Sequence, residues 1–132
     1  MTQNLLEQLY NEILKARDEI YAVGQPTPLD PITFDDCDCE IFIKREDLGP
    51  INAYKWRGAY NAVLNHHRHS HSDMIIAASA GNHAQGVALA ARKLNLKAKI
   101  FMPLAAPLMK QKAVKRHGGD CLLYTSPSPR DS

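Results

Sequence analysis

The 132-residue chain reads as an α/β domain built on a mostly parallel sheet. From Met74 onward, short apolar runs alternate with helical periodicities in the order strand, helix, strand, helix, strand. That order implies a right-handed βαβαβ arrangement with parallel pairing through crossover helices. The first strand meets its helix at Ser79-Ala80-Gly81-Asn82-His83, a turn placed at the carboxyl end of a strand, where open parallel sheets gather ligands. The composition, 45% hydrophobic and 23% charged, is that of an ordinary globular protein, and the length predicts one core and a single domain without disulfide or metal staples.

Leu5, Leu6, Leu9, Ile13, Ala16 and Ile20 follow helical spacing with polar residues between them, which predicts an amphipathic helix over residues 3–20. Gly24, Pro26, Pro28 and Pro31 break the pattern and predict a loop. Glu40-Ile41-Phe42-Ile43-Lys44 has strand composition. After Gly49-Pro50, Tyr54, Ala59, Tyr60, Val63 and Leu64 predict a second helix that ends near the His66–His71 segment. The next elements are a strand at Met74–Ala78 and helix and strand at 82–94 and 97–102. A last helix spans 107–117, with Pro107 in its first turn and Gly118 at its end, and a strand follows at 120–124. Residues 125–132, with Pro127 and Pro129 and no apolar periodicity, predict a disordered tail.

Several function classes are excluded or disfavoured. The most apolar run, Met74 to Ala78, is far short of the ~20 residues of a membrane-spanning helix. The start lacks a basic segment followed by an apolar core, so a cytoplasmic protein with no membrane partner is expected. Cys37, Cys39 and Cys121 suit a reducing compartment, and Cys37-x-Cys39 lacks the second ligand pair of a structural zinc site. The histidines between His66 and His71 read as a solvated connector in preference to a metal site. Arg92, Lys93, Lys97, Lys99, Lys110, Lys112, Lys115 and Arg116 form a basic block with no acidic residue between Asp73 and Asp120. With only Phe101 available for base stacking, the block reads as solvated helix surface, and no nucleic-acid partner is expected.

Two features carry chemistry. The small residues of the 79–83 turn let the backbone approach an anion, Ser79 adds a hydroxyl, and Asn82 adds an amide; read alone, this is either a carboxylate or phosphate cradle or a plain N-cap turn. It lacks the spacings of dinucleotide and ATP loops. Lys55 lies between Tyr54 and Trp56, where flanking rings would strip solvent from the amine and make it available as nucleophile or base.

Lys44-Arg45-Glu46-Asp47-Leu48, then Asn52-Ala53-Tyr54-Lys55-Trp56-Arg57-Gly58-Ala59, then Ser79-Ala80-Gly81-Asn82-His83-Ala84-Gln85-Gly86 together resemble the N-terminal part of the threonine dehydratase (threonine ammonia-lyase) family of fold-type II pyridoxal-phosphate enzymes. Thr27-Pro28-Leu29, Met102-Pro103, Pro107, Lys110 and Gly118-Gly119 extend the resemblance over residues 5–121. It implies a partial, incomplete tryptophan-synthase-β-like fold, three layers (α/β/α) around a mostly parallel sheet. It also implies pyridoxal 5′-phosphate as cofactor, Lys55 as the catalytic Schiff-base lysine, Tyr54 packed against the cofactor ring and Asn82 bonded to its 3′-oxygen. Ser79, Gly81, Asn82 and His83 would hold the substrate carboxylate. The implied reaction converts threonine or serine to a 2-oxo acid and ammonia, as in isoleucine biosynthesis; no metal is implied, and full-length members are expected to be homo-oligomers. Related serine racemases carry a second serine where Ala80 stands, which favours dehydration over racemisation. The family's phosphate-binding glycine loop would fall beyond Tyr124. Residues 1–124 are therefore expected to be the opening portion of a catalytic domain, 125–132 a tail foreign to it, and the isolated chain to bind the cofactor weakly or not at all; the alternatives are an inactive truncated fragment unable to hold it, or a serine racemase or other fold-type II lyase.

Overall fold

A computed structural model describes residues 2–125. The expected disordered tail falls almost wholly at 126–132, outside the described residues. The chain divides into two compact units, residues 1–54 and 55–132.

The first unit opens with α1 (Thr2–Tyr21), one residue longer at each end than its periodicity predicts. Its Leu5, Leu6, Leu9 and Ile13 are exposed. A hairpin follows, in which β1 (Leu29–Ile32) pairs antiparallel with β2 (Ile41–Lys44), Leu29 opposite Lys44 and Ile32 opposite Ile41. β1 corrects the predicted loop. The prolines that argue against a strand are tolerated because each strand of a two-stranded sheet is an edge, where a missing N–H need not break a ladder. Side chains tie the hairpin to the 3-10 turn Glu46–Leu48. Thr27 Oγ1 donates to Glu46 Oε1 at 2.7 Å, the Lys44 ammonium donates to the Thr27 carbonyl, and Arg45 bridges Asp47 at 2.8 Å and Asp30 at 3.0 Å.

The second unit runs α2 (Lys55–Ser70), β3 (Met74–Ala78), α3 (Asn82–Lys93), β4 (Lys97–Pro103), α4 (Leu108–Arg116), β5 (Asp120–Tyr124). Its sheet has the order β3-β4-β5, parallel throughout. Side chains alternate across the pleat. Ala98, Ile100 and Met102 of β4 are buried, while Phe101 between them is exposed, as are Ile76 and Tyr124. The buried side faces α3 and α4. A Cβ on Gly119 would meet Val114 of α4 at 2.8 Å, Ala88 of α3 at 3.0 Å and Ile100 of β4 at 3.4 Å. The three-layer arrangement is thus present in part among the described residues, with helices packed on one face of the sheet.

Both sheet-covering helices end in the same backbone device. After α4, Gly118 takes φ +88 and donates to the Lys115 carbonyl, while Gly119 reaches back to Val114. After α3, Asn95 at φ 57 donates to Arg92 and Leu96 to Ala91. These are Schellman ends, which turn the chain sharply into the next strand. Pro107 stands just outside α4 as its N-cap, not in its first turn. The histidine segment also departs from expectation. His66, His67 and His69 lie in the last turns of α2, and the helix ends only at His71, at φ 51. Two imidazoles bond nearby carbonyls: His69 Nδ1 pairs with that of Asn65, one turn back in α2, at 2.6 Å, and His67 Nδ1 with that of Ser72, just beyond the helix, at 3.0 Å.

His117, at the end of α4, is 7% exposed, and neither ring nitrogen has a hydrogen-bond partner among the described residues. Burial, then the nearby Arg116 and Arg92, hold its pKa below the usual 6.5. The folded chain therefore resists a proton that the unfolded chain accepts. Stability at this residue is full above pH ~6.5 and is lost as pH falls from there toward the folded pKa. Urea midpoints measured from pH 7.5 to 5 are expected to fall more steeply for the parent chain than for His117→Leu; parallel slopes would refute this.

Candidate active site

The turn between β3 and α3 is set by main-chain bonds. Ser79 N–H donates to the Phe101 carbonyl of β4 at 3.0 Å, which continues the β3-β4 pairing past the end of the strand. Ser79 Oγ then accepts from Gly81 N–H at 3.3 Å. Gly81, extended at φ −126 and ψ −151, is the N-cap of α3, and no side chain caps the helix. The first N–H groups of a helix have no carbonyl four residues back within it. Those of Asn82 and His83 find no other backbone acceptor among the described residues. They lie at the positive end of the helix dipole, equivalent to about half a charge. Ser79, Gly81 and Asn82 are all half-buried here.

Asn82 is oriented by two donors. Lys110 Nζ of α4 donates to Asn82 Oδ1 at 2.6 Å, and Gln85 Nε2, one turn along α3, donates to the same oxygen at 3.3 Å. An ammonium group can only donate, so the amide oxygen must face Lys110. The Nδ2 hydrogens are left without an acceptor among the described residues.

Lys55 is the first residue of α2. Its approach to the turn depends on Gly86, where a Cβ would stand 3.0 Å from Ala59 Cβ, 3.4 Å from the Lys55 carbonyl and 3.4 Å from Trp56 Cα. The missing side chain lets the start of α2 lie against α3, four residues, or about 6 Å along the axis, from Asn82. The structure thus brings Lys55, Ser79, Gly81 and Asn82 to one end of the second unit. The predicted sheath of rings around Lys55 is not built. Lys55 is exposed, Tyr54 is 63% exposed, and only Trp56 is buried. His83 departs in another way: its side chain lines a cavity of about 280 Å³ with Ala59, Val63, His66, Ile76 and Val87, which none of the other predicted site residues lines.

Sequence reasoning missed Gln85 and the inward turn of Lys110. The basic block hid the latter, since seven other cations share its neighbourhood in sequence. Its one distinguishing sign is position. Lys115 and Arg116 stand in the last turn of α4, where the helix dipole favours cations, whereas Lys110 stands in the first, where the dipole opposes them.

A lysine amine, an amide with free donors and an uncapped helix N-terminus on small residues, at the carboxyl edge of a parallel sheet, suit a carbonyl cofactor bearing an anionic ring oxygen together with a carboxylate substrate. Such an arrangement is the one expected of a fold-type II enzyme. Comparison with known proteins agrees: the model of the pyridoxal-phosphate dependent enzyme family matches residues 20–132. The chain belongs to that family. It is similar to the L-threonine dehydratase biosynthetic IlvA of Haemophilus influenzae, 44% identical over 116 residues, and to that of Staphylococcus aureus, 50% identical over 93 residues. These matches cover 86% and 70% of the chain but only 23% and 22% of the relatives. Among solved structures, the processed form of threonine deaminase isoform 2 from Solanum lycopersicum superposes with TM-score 0.81 at 40% identity, over 92% of this chain and 34% of that one. Maize serine racemase superposes with TM-score 0.82 at 31% identity, over 89% of this chain and 36% of the other. The chain thus spans about a quarter of the curated relatives and about a third of these solved chains. No helix among the described residues is long and apolar enough to cross a membrane.

Proposed function

We propose that the chain is the N-terminal part of a pyridoxal-phosphate-dependent threonine or serine dehydratase, with Lys55 as the residue that holds the cofactor. One observation carries this: the Lys55 backbone packs on Gly86, one turn from an Asn82 amide whose donors are left free. When bound, pyridoxal phosphate supplies an electron sink for the charge left at the substrate Cα. The residues of the chain do the rest. Asn82 Nδ2 would donate to the ring oxygen of the cofactor. The Asn82 and His83 N–H groups, with Ser79, hold the substrate carboxylate. Lys55 would hold the cofactor through its amine and, with that amine free, would take the Cα proton. Loss of the β-hydroxyl and hydrolysis of the released enamine convert threonine to 2-oxobutanoate and ammonia.

Racemisation is disfavoured because Ala80 offers no hydroxyl for a second base on the opposite face.

Pyridoxal phosphate added to the chain, followed by borohydride reduction and peptide mass mapping, tests the assignment. Label at Lys55, with the visible absorbance lost in Lys55→Ala, is the expected result. Label spread over surface lysines, with absorbance unchanged in Lys55→Ala, would overturn it.

A further inference from the structure

We infer that Lys110 is a positioning residue, which locks the Asn82 amide with its oxygen turned away and its two N–H donors presented to the anionic ring oxygen of the cofactor. This rests on the cofactor reading above. An asparagine amide flips end for end at little cost unless its partners distinguish oxygen from nitrogen. Here both partners are donors. The Lys110 ammonium at 2.6 Å excludes the flipped state, because Nδ2 would then face a cation, and Gln85 Nε2 at 3.3 Å supports the same choice.

The placement of Lys110 points the same way. It stands in the first turn of α4, with its backbone N–H bonded to the Pro107 carbonyl at 2.8 Å. Its ammonium bonds the first residue of α3, so the charge lies near the positive ends of two helices. Such a location disfavours a cation. The bond to Asn82 holds it there, and its charge polarises the amide so that Nδ2 becomes a stronger donor. Lys110 touches neither cofactor nor substrate in this assignment and acts only through Asn82.

The test begins without cofactor. In the ¹⁵N NMR spectrum of the chain, the Asn82 side-chain amide pair is assigned by its loss in Asn82→Asp. Lys110→Met is expected to shift that pair toward the position of a free amide, Lys110→Arg to hold it near the parental position, and Lys112→Met, on the same helix, to leave it in place. A pair unmoved by Lys110→Met overturns the proposal.

The second arm titrates pyridoxal phosphate. Loss of a charge-assisted contact predicts about tenfold weaker binding in Lys110→Met, with the loss absent in an Asn82→Ala background. An equal loss in both backgrounds, or unchanged affinity in Lys110→Met, overturns the positioning role and leaves the cofactor reading standing. No uptake by the parent chain overturns the cofactor reading and this proposal together.

Discussion

Trp56→Ala is expected to destabilise the chain by about 3–5 kcal/mol, the usual cost of removing a large buried ring. Trp56 is 2% exposed and among the largest fully buried side chains. A folded domain has only ~5–15 kcal/mol in total, so this variant should give up a large share of its stability and unfold at a clearly lower urea concentration. Arg57 lies over the indole at 5.1 Å from its centre and would lose that contact as well. Urea unfolding followed by far-UV circular dichroism is the suitable measurement, since Trp56 is the sole tryptophan and the variant has no indole fluorescence. A cost below ~1 kcal/mol, less than the ~1.5–3 kcal/mol that burying a large apolar side chain normally contributes, would show that the ring is not packed as described. Trp56→Phe should retain most of the stability, because the indole N–H has no hydrogen-bond partner among the described residues.

Gly86→Val is the second large effect, and its value lies in comparison with Gly86→Ala. The alanine methyl would sit 3.0 Å from Ala59 Cβ, while the change gains about 1 kcal/mol of helix propensity. The two oppose each other, and a result near zero is expected. Valine adds two methyl groups beside the Lys55 carbonyl and Trp56 Cα, backbone atoms that cannot rotate away. Overpacking of this kind costs about 1–3 kcal/mol. The helices must separate, and Lys55 moves with α2. Gly86→Val should therefore lose both stability and borohydride-trapped cofactor at Lys55, whereas Gly86→Ala keeps both. Equal trapping in the two variants would show that the position of Lys55 does not depend on this contact.

The parallel half of the fold was legible because its signals are local. Apolar runs, a small-residue turn and a glycine at a helix end each mark their own positions, and β3, α3, β4, α4 and β5 lie within a residue or two of where these signals put them. β1 was not legible, since its pairing with β2 is a tertiary fact that overrides what Pro28 and Pro31 suggest locally. The extension of α2 through the histidines was missed for a related reason: polarity on every face marks solvation, which a helix end tolerates as readily as a loop. Within the site, Lys55 and the 79–82 turn could be found from residue type and neighbours. Lys110 could not, because its partner is 28 residues away and its charge looks the same as that of any surface lysine. The expected desolvation of Lys55 failed because adjacency in sequence does not by itself bury a ring: Tyr54 is exposed and Trp56 buried.

The bond from Ser79 N–H to the Phe101 carbonyl has a consequence for how this scaffold can change its chemistry. It hangs the ligand-facing loop on the neighbouring strand through main-chain atoms alone, which every residue except proline supplies. Side chains at 80 and 83 can then be exchanged without breaking that bond, whereas the Ser79 hydroxyl also holds the Gly81 N–H. A racemase and a deaminase can share this backbone at TM-scores of 0.82 and 0.81 while the chain is only 31% and 40% identical to them. Variation in the side chains of this turn is thereby separated from the stability of the fold that carries it.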